Sequence, residues 1–313
     1  MTYATKVRTL DDIAADSHVF SIIAMDQRNT LRRMFTAVGR DASDDDLRVA
    51  KADVARVLTP AASGLLSDPT YGVPAITEAK ALAPDCGLLV AAEPSERRTY
   101  QGEPRTHRDP ALDAQWVLDQ GGDALKFFVQ LRADRPASAS PAPGEPDLVT
   151  EALAVCGEII RDCRATGVPV VIENLVYARP GEELRGQARE DAIIESARAL
   201  DDLDIDLLKL EYPGSPEGCR RLAAILHRPW AVLSAGVPFD QFTDIIRIAA
   251  EEGGASGFIA GRSVWREVVG LAGPHREEFL TTVARPRLER LIEVAEHRAR
   301  PWTDVAINHQ APE

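Results

Sequence analysis

Asp206-Leu207-Leu208-Lys209-Leu210-Glu211-Tyr212 sets one lysine inside an apolar run, and Asp123-Ala124-Leu125-Lys126-Phe127-Phe128-Val129 repeats the arrangement earlier in the chain. Short apolar runs without polar alternation read as strands buried on both faces, the kind that build a parallel sheet covered by helices. Period-two geometry puts Ala124, Lys126 and Phe128 on one face of the first strand and Leu207, Lys209 and Glu211 on one face of the second. Lysine is rare here: of 36 Lys plus Arg, only five are lysine. An ammonium in an apolar strand is costly to desolvate, and burial or a neighbouring cation lowers its pKa. The amine so freed attacks carbonyls, a use open to lysine and closed to arginine. A purely structural explanation is that each lysine reaches a strand end and pairs with a carboxylate, as Lys209 would with Glu211. Two lysines in matching settings favour chemistry, because perturbed groups cluster at sites.

Working outward, six further runs have the same character: Val19–Ala24, Gly64–Leu66, Gly87–Ala92, Val168–Ile172, Trp230–Leu233 and Gly257–Ala260. Helical periodicity fills the intervals, for example Leu47–Leu58, Leu148–Cys163 and Phe239–Ala250. Strands alternating with helices in this number predict an α/β fold, a single closed (β/α)8 barrel over residues 1–300 with a tail over 301–313. The polar residues at the run ends support closure. Asp26, Asp68, Glu93, Lys126, Glu173, Lys209 with Glu211, Ser234, and Gly261 with Arg262 would all meet at the C-terminal rim of a barrel.

Composition narrows the partners. A formal net charge of −13 argues against nucleic acid or an anionic membrane surface, so an anionic substrate would need a local positive island. No apolar stretch is long enough to span a bilayer and the first residues lack a secretory signal, which predicts a cytoplasmic protein. The four cysteines, Cys86, Cys156, Cys163 and Cys219, show neither CxxC spacing nor companion histidines and read as reduced and buried.

Adjacent strands lie about 4.8 Å apart, so Lys126, Glu173 and Lys209 can converge in the barrel mouth. That supplies an amine, a second cation and a carboxylate to move protons. The runs ending in Leu233-Ser234-Ala235-Gly236-Val237 and Phe258-Ile259-Ala260-Gly261-Arg262-Ser263 offer backbone N–H groups and a guanidinium to a phosphate, which barrels commonly bind there. Alternatively, those glycines only permit tight turns. Asp26, Gln27 and Arg28 end the first run and could reach an amine, a hydroxyl or a phosphate, although Asp at such a junction is often a helix cap. Long connections at residues 94–109, 132–147 and 174–190 carry Arg97, Arg98, Arg105, Arg132, Arg135, Arg179 and Arg185. Some of these could hold the distal end of an anionic substrate, and the stretch 135–146 reads as flexible. None of the six histidines directly follows a run, which predicts no zinc site. A magnesium-assisted, enolase-type lyase or isomerase using Glu173, Glu211 and Asp26 is the competing enzymatic reading. A glycosidase using two of Glu93, Glu173 and Glu211 would leave the lysines without a role.

Taken in order, Ala24–Phe35, Asp68–Ala75, Gly122–Phe127, Asp206–Glu211, Leu233–Val237 and Gly257–Trp265 resemble the class I tagatose 1,6-bisphosphate aldolases, and equally the sulfofructosephosphate aldolases. The resemblance implies that Lys209 is the Schiff-base lysine, Glu173 the proton-shuttling acid and Lys126 the second lysine of the site. Asp26 joins them, Gln27 and Arg28 match the first-strand motif, and Ser234, Gly236, Gly261 and Arg262 match a phosphate cradle. It further implies a homo-oligomer that needs no cofactor or metal and acts on a sugar phosphate. The expected reaction is cleavage of a ketose 1-phosphate with an anionic C6 group to dihydroxyacetone phosphate and a three-carbon aldehyde.

Overall fold

The computed structural model describes residues 8–135, 141 and 144–305. Eight parallel strands close into a barrel in the order β1-β10-β9-β8-β7-β6-β3-β2. These are β1 (Phe20–Met25), β2 (Gly64–Ser67), β3 (Gly87–Ala91), β6 (Ala124–Val129), β7 (Val170–Asn174), β8 (Leu207–Leu210), β9 (Trp230–Leu233) and β10 (Gly257–Ala260). Every residue of each is buried, as continuous apolar strands require. β4 (Arg98–Tyr100) and β5 (Glu103–Arg105) form a separate antiparallel hairpin in the connection after β3. The helices are α1 (Asn29–Ala37), α2 (Asp44–Leu58), α3 (Gly72–Ala79), α4 (Ala114–Asp119), α5 (Leu148–Thr166), α6 (Gly186–Asp201), α7 (Pro216–Ala223), α8 (Phe239–Gly253), α9 (Arg262–Trp265), α10 (Gly273–Phe279) and α11 (Arg285–Glu296).

The core is double. One set of side chains, including Ile23, Leu65, Val90, Phe127, Ile172, Leu208 and Val232, packs between strands and helices. A second set, including Phe20, Ile22, Ala24, Leu89, Ala91, Ala124, Val171, Leu207, Ala231 and Ile259, fills the barrel interior. Continuing five of these inward-facing series by two residues gives Asp26, Glu93, Lys126, Glu173 and Lys209. The packed interior therefore ends in a charged layer at the C-terminal rim. At the other end, a 3-10 turn at Leu10–Ile13, held by the reciprocal Thr9–Asp12 cap, adds Leu10 and Ile13 to the interior cluster and closes the barrel floor.

The fifth run starts later than its composition suggests, because Pro169 has no N–H for the ladder, and the strand extends through Glu173 to Asn174. The first run is shifted by one residue to include Met25. The segment 302–305, expected to be part of a tail, is helical, and the Trp302 N–H donates to the His18 carbonyl at 3.0 Å. Residues 306–313 and most of the stretch expected to be flexible lie outside the described residues. No helix among the described residues is long and apolar enough to cross a membrane.

Candidate active site

Lys126 is 1% exposed and Lys209 4% exposed, so both amines are buried as the strand context predicts. The register pairs Lys126 with Val171, Phe128 with Glu173 and Glu173 with Lys209. The barrel's stagger thus sets Glu173 one layer above Lys126, and the long lysine side chain rises to meet it. Glu173 Oε2 lies 2.8 Å from Lys126 Nζ and 3.0 Å from Lys209 Nζ. One carboxylate oxygen bridges two amines. The three residues expected to converge in the mouth do so through this bridge.

Lys126 has two further partners, Asp26 Oδ2 at 2.9 Å and Glu93 Oε1 at 3.0 Å. Burial opposes the Lys126 charge, but Asp26, Glu173 and Glu93 outweigh it and hold the ammonium well above the ordinary lysine value. Burial likewise disfavours the Asp26 and Glu173 carboxylates, yet Lys126 and Lys209 keep both below the usual range. Glu211, the alternative partner for Lys209, turns away instead: its carboxylate accepts from the Val176 N–H at 2.8 Å and from Arg189. Burial is the leading reason its pKa is raised.

Above the charged layer opens a cavity of about 320 Å³. Asp26, Gln27, Arg28, Arg33, Glu93, Arg97, Lys126, Phe128, Glu173 and Arg262 are among its walls, and Lys209 sits just behind Glu173. Arg28 donates to the Glu93 carbonyl at 3.0 Å, tying the rim of β1 to that of β3. Gln27 donates to Asp26 Oδ1 at 3.0 Å. Two buried acceptors on the walls, Gln27 Oε1 and Glu93 Oε2, have no hydrogen-bond partner among the described residues. Such acceptors suit a ligand rich in hydroxyl groups, since buried polar atoms left unpaired are costly.

Across the mouth, Ser234 Oγ accepts from the Gly261 N–H at 3.5 Å. Gly236 has a φ of +79°, and a Cβ there would come 3.1 Å from the Arg262 Cζ, so the turn and the guanidinium lie against each other. Gly261 has a different reason to be glycine: a Cβ would meet the Ala24 carbonyl of β1 at 2.7 Å. Arg262 reaches only the Ala235 carbonyl, at 3.4 Å, and has no carboxylate partner among the described residues. Burial is the leading reason its pKa is lowered.

Asp26, Gln27, Arg28, Lys126, Glu173, Lys209, Ser234, Gly236, Gly261 and Arg262 therefore gather at one rim, whereas Asp68, also expected there, is sealed against Lys51. Reading the strands alone did not place Glu93 beside Lys126 or distinguish Arg97 from its neighbours. A third buried lysine, Lys51, also escaped notice. It lies on α2, 0% exposed, 2.7 Å from Asp68 and within hydrogen-bond reach of the Met25 and Gln27 carbonyls. The helical spacing Leu47, Lys51, Val54, Leu58 was the available signal. Among the described residues, no group of three or more His, Cys, Asp and Glu side chains is arranged to hold a metal ion.

Comparison with known proteins agrees with this geometry. The chain is 27% identical to tagatose 1,6-diphosphate aldolase 2 of Streptococcus pyogenes serotype M1 over 96% of its own length and 97% of that protein's. An archaeal fructose 1,6-bisphosphate aldolase superposes with a TM-score of 0.61 at 16% identity, covering 92% of this chain and 100% of the other. A structure described as a Schiff base forming fructose-1,6-bisphosphate aldolase gives a TM-score of 0.60 at 16% identity, covering 92% and 100%. The profile of the DeoC/LacD family aldolases matches residues 20–267, a span that contains all eight barrel strands together with Arg262. The chain belongs to the DeoC/LacD aldolase family.

Proposed function

We propose that the protein is a Schiff-base aldolase that cleaves a ketose 1-phosphate bearing a second anionic group at C6. The observation that carries this reading is the single carboxylate oxygen of Glu173 shared by Lys126 and Lys209 beneath a cation-rich cavity. On the walls, the five cations Arg28, Arg33, Arg97, Lys126 and Arg262 face the three carboxylates Asp26, Glu93 and Glu173. This is a positive island in a chain of net charge −13, suited to a substrate with two anionic ends. The names of the relatives, tagatose 1,6-diphosphate and fructose 1,6-bisphosphate aldolases, point to the same substrate class. A terminal phosphate or a terminal sulfonate would meet these cations alike.

Glu173 takes a proton from the Lys209 ammonium, the freed amine adds to the C2 carbonyl, and Glu173 relays that proton and a second one from nitrogen to the C2 oxygen, which leaves as water. The resulting iminium is an electron sink. Glu173, again a carboxylate, takes the C4 hydroxyl proton while the C3–C4 electron pair moves into the iminium. The aldehyde departs and an enamine remains on Lys209. Protonation at C3 and hydrolysis release dihydroxyacetone phosphate and the free amine. Lys126 acts through charge: Asp26, Glu93 and Glu173 keep it protonated, and its charge, with that of Lys209, keeps Glu173 ionised between turnovers. Ser234, Gly236, Gly261 and Arg262 receive the C1 phosphate, while Gln27 and Arg28 orient the hydroxyls.

Incubation with dihydroxyacetone phosphate and borohydride in the presence of EDTA tests the reading. A stable adduct on the Lys209 peptide is expected. No adduct, together with turnover abolished by chelator, would overturn the Schiff-base reading in favour of a metal-assisted lyase.

A further inference from the structure

The long connections carry seven arginines flagged by sequence, and the structure sorts them. Arg105 pairs with Glu151 at 2.7 Å, Arg132 with Asp134 and Glu182 at 2.8 Å each, Arg179 with Asp134 at 3.4 Å, and Arg185 with Glu183 at 3.2 Å. Arg135 is bound to Glu103. Their charges are spent within the protein. Arg97 and Arg98 have no carboxylate partner among the described residues, and of these two only Arg97 lines the cavity above Glu173. Arg98 lines an outer groove with Arg105 and His107, and shares with Arg97 a small pocket of about 30 Å³ beside the main cavity.

Arg97 is held by shape rather than by charge. Its Cζ lies 4.4 Å from the centre of the Phe128 ring, the geometry of a guanidinium stacked on an aromatic face. Phe128 is the inward residue two positions beyond Lys126, so the arginine rests on the wall of the same strand. The hairpin that follows Arg97 is anchored by Glu103, which accepts from the Tyr177 hydroxyl at 2.8 Å as well as from Arg135. The segment is fixed while its guanidinium fork remains open.

Its place in the ring is informative. β3, which precedes Arg97, is four strands from β9 in either direction, and β6, which carries Phe128, is four strands from β10. The loops after β9 and β10 hold Gly236 and Arg262. Arg97 therefore stands diametrically across the mouth from that cradle, with Lys126, Glu173 and Lys209 on the strands between.

We propose that Arg97, laid on Phe128, reads the terminal oxyanion of the substrate and sets the preference for an anionic C6 group. This rests on the Schiff-base reading above and adds a specificity residue to it. The shared ligand chemistry is a tetrahedral oxyanion, phosphate or sulfonate, met by the guanidinium fork. Arg28 and Arg33, on the rim of β1 and α1, complete the positive wall.

The test is the ratio of kcat/KM for a ketose 1,6-bisphosphate to that for the same ketose 1-phosphate without the second phosphate. It is measured for wild type, Arg97→Ala and Arg97→Lys, with a 6-sulfonate 1-phosphate as a parallel arm. Arg97→Ala is expected to lower the ratio about 10- to 100-fold, mainly through KM, as loss of a hydrogen-bonded charge pair implies. Arg97→Lys keeps the charge but loses the fork and the stacking, and recovers part of the ratio. The arm with the larger wild-type ratio names the oxyanion. A ratio unchanged in both variants overturns the proposal, as does equal loss on substrates with and without the C6 anion. Borohydride trapping with dihydroxyacetone phosphate, which has no distal end, is run on the same variants. Adduct formation with an unchanged ratio sinks the role of Arg97 alone, whereas no adduct in wild type sinks the aldolase reading beneath it.

Discussion

Two buried lysines, Lys51 on α2 and Lys209 on β8, show how differently one side chain can be used. Lys51 is sealed against Asp68, with both side chains 0% exposed, and the remaining donors go to backbone carbonyls. Asp68 also accepts from the N–H groups of Thr70, Tyr71 and Gly72, so the pair fastens α2 to the start of α3. Burial lowers the Lys51 pKa more than Asp68 raises it. Lys209, by contrast, has one carboxylate partner, and that partner is shared with Lys126 and faces a cavity. The first arrangement is closed and serves the fold. The second leaves a proton with two claimants and an opening for substrate.

The comparison breaks if the two sites respond alike to substitution. The largest expected effect is on catalysis: Lys209→Met should lower kcat by at least about ten-thousand-fold in steady-state assays, as removal of a covalent nucleophile does. Glu173 keeps Lys126 as a partner in that variant, so its unfolding free energy should change by no more than about 1 kcal/mol. Asp68→Ala should reverse the pattern. It strands the Lys51 ammonium and removes the acceptor for three N–H groups, and denaturant titration should show a loss of about 3–5 kcal/mol. An unmoved midpoint would show that the sealed pair is not what holds α2 in place.

Glu173→Gln sharpens the comparison, because the amide keeps the shape and cannot carry a proton. We expect kcat to fall about 100- to 10,000-fold, the range for a lost general acid–base, with the protein still folded by circular dichroism. The smallest effect is in alkaline stability, where the two lysines differ in sign. The Lys51 pKa is lowered in the fold, so its site gains stability as pH rises from that depressed value towards the ordinary 10.5. The Lys126 pKa is raised, so its contribution is complete below 10.5 and is lost only as pH climbs through the elevated folded value. Unfolding curves of Lys51→Met and Lys126→Met across this range should diverge from wild type in opposite directions.

Much of this was legible in the chain itself. The barrel strands announced themselves because each is a continuous apolar run ending in a polar residue, and period two turned Lys126, Glu173 and Lys209 towards the barrel mouth. The hairpin at residues 98–105 could not be read, since its strands are three residues long and none of their residues is buried, with no apolar pattern to mark them. Glu93 was visible as a run end, but its pairing with Lys126 depends on closure between β3 and β6. The distinction between Arg97 and its neighbours was hidden for a related reason: Arg105 finds Glu151, and Arg135 finds Glu103, only after the loops have folded over one another.

The scarcity of lysine has a consequence beyond the site. Of the five amines, Lys51, Lys126 and Lys209 are enclosed, and among the described residues Lys80 is the one left exposed. The surface carries its positive charge on guanidinium groups, which remain protonated and do not condense readily with carbonyls. A catalyst that releases aldehydes throughout its working life thus presents them with few exposed amines open to adventitious glycation.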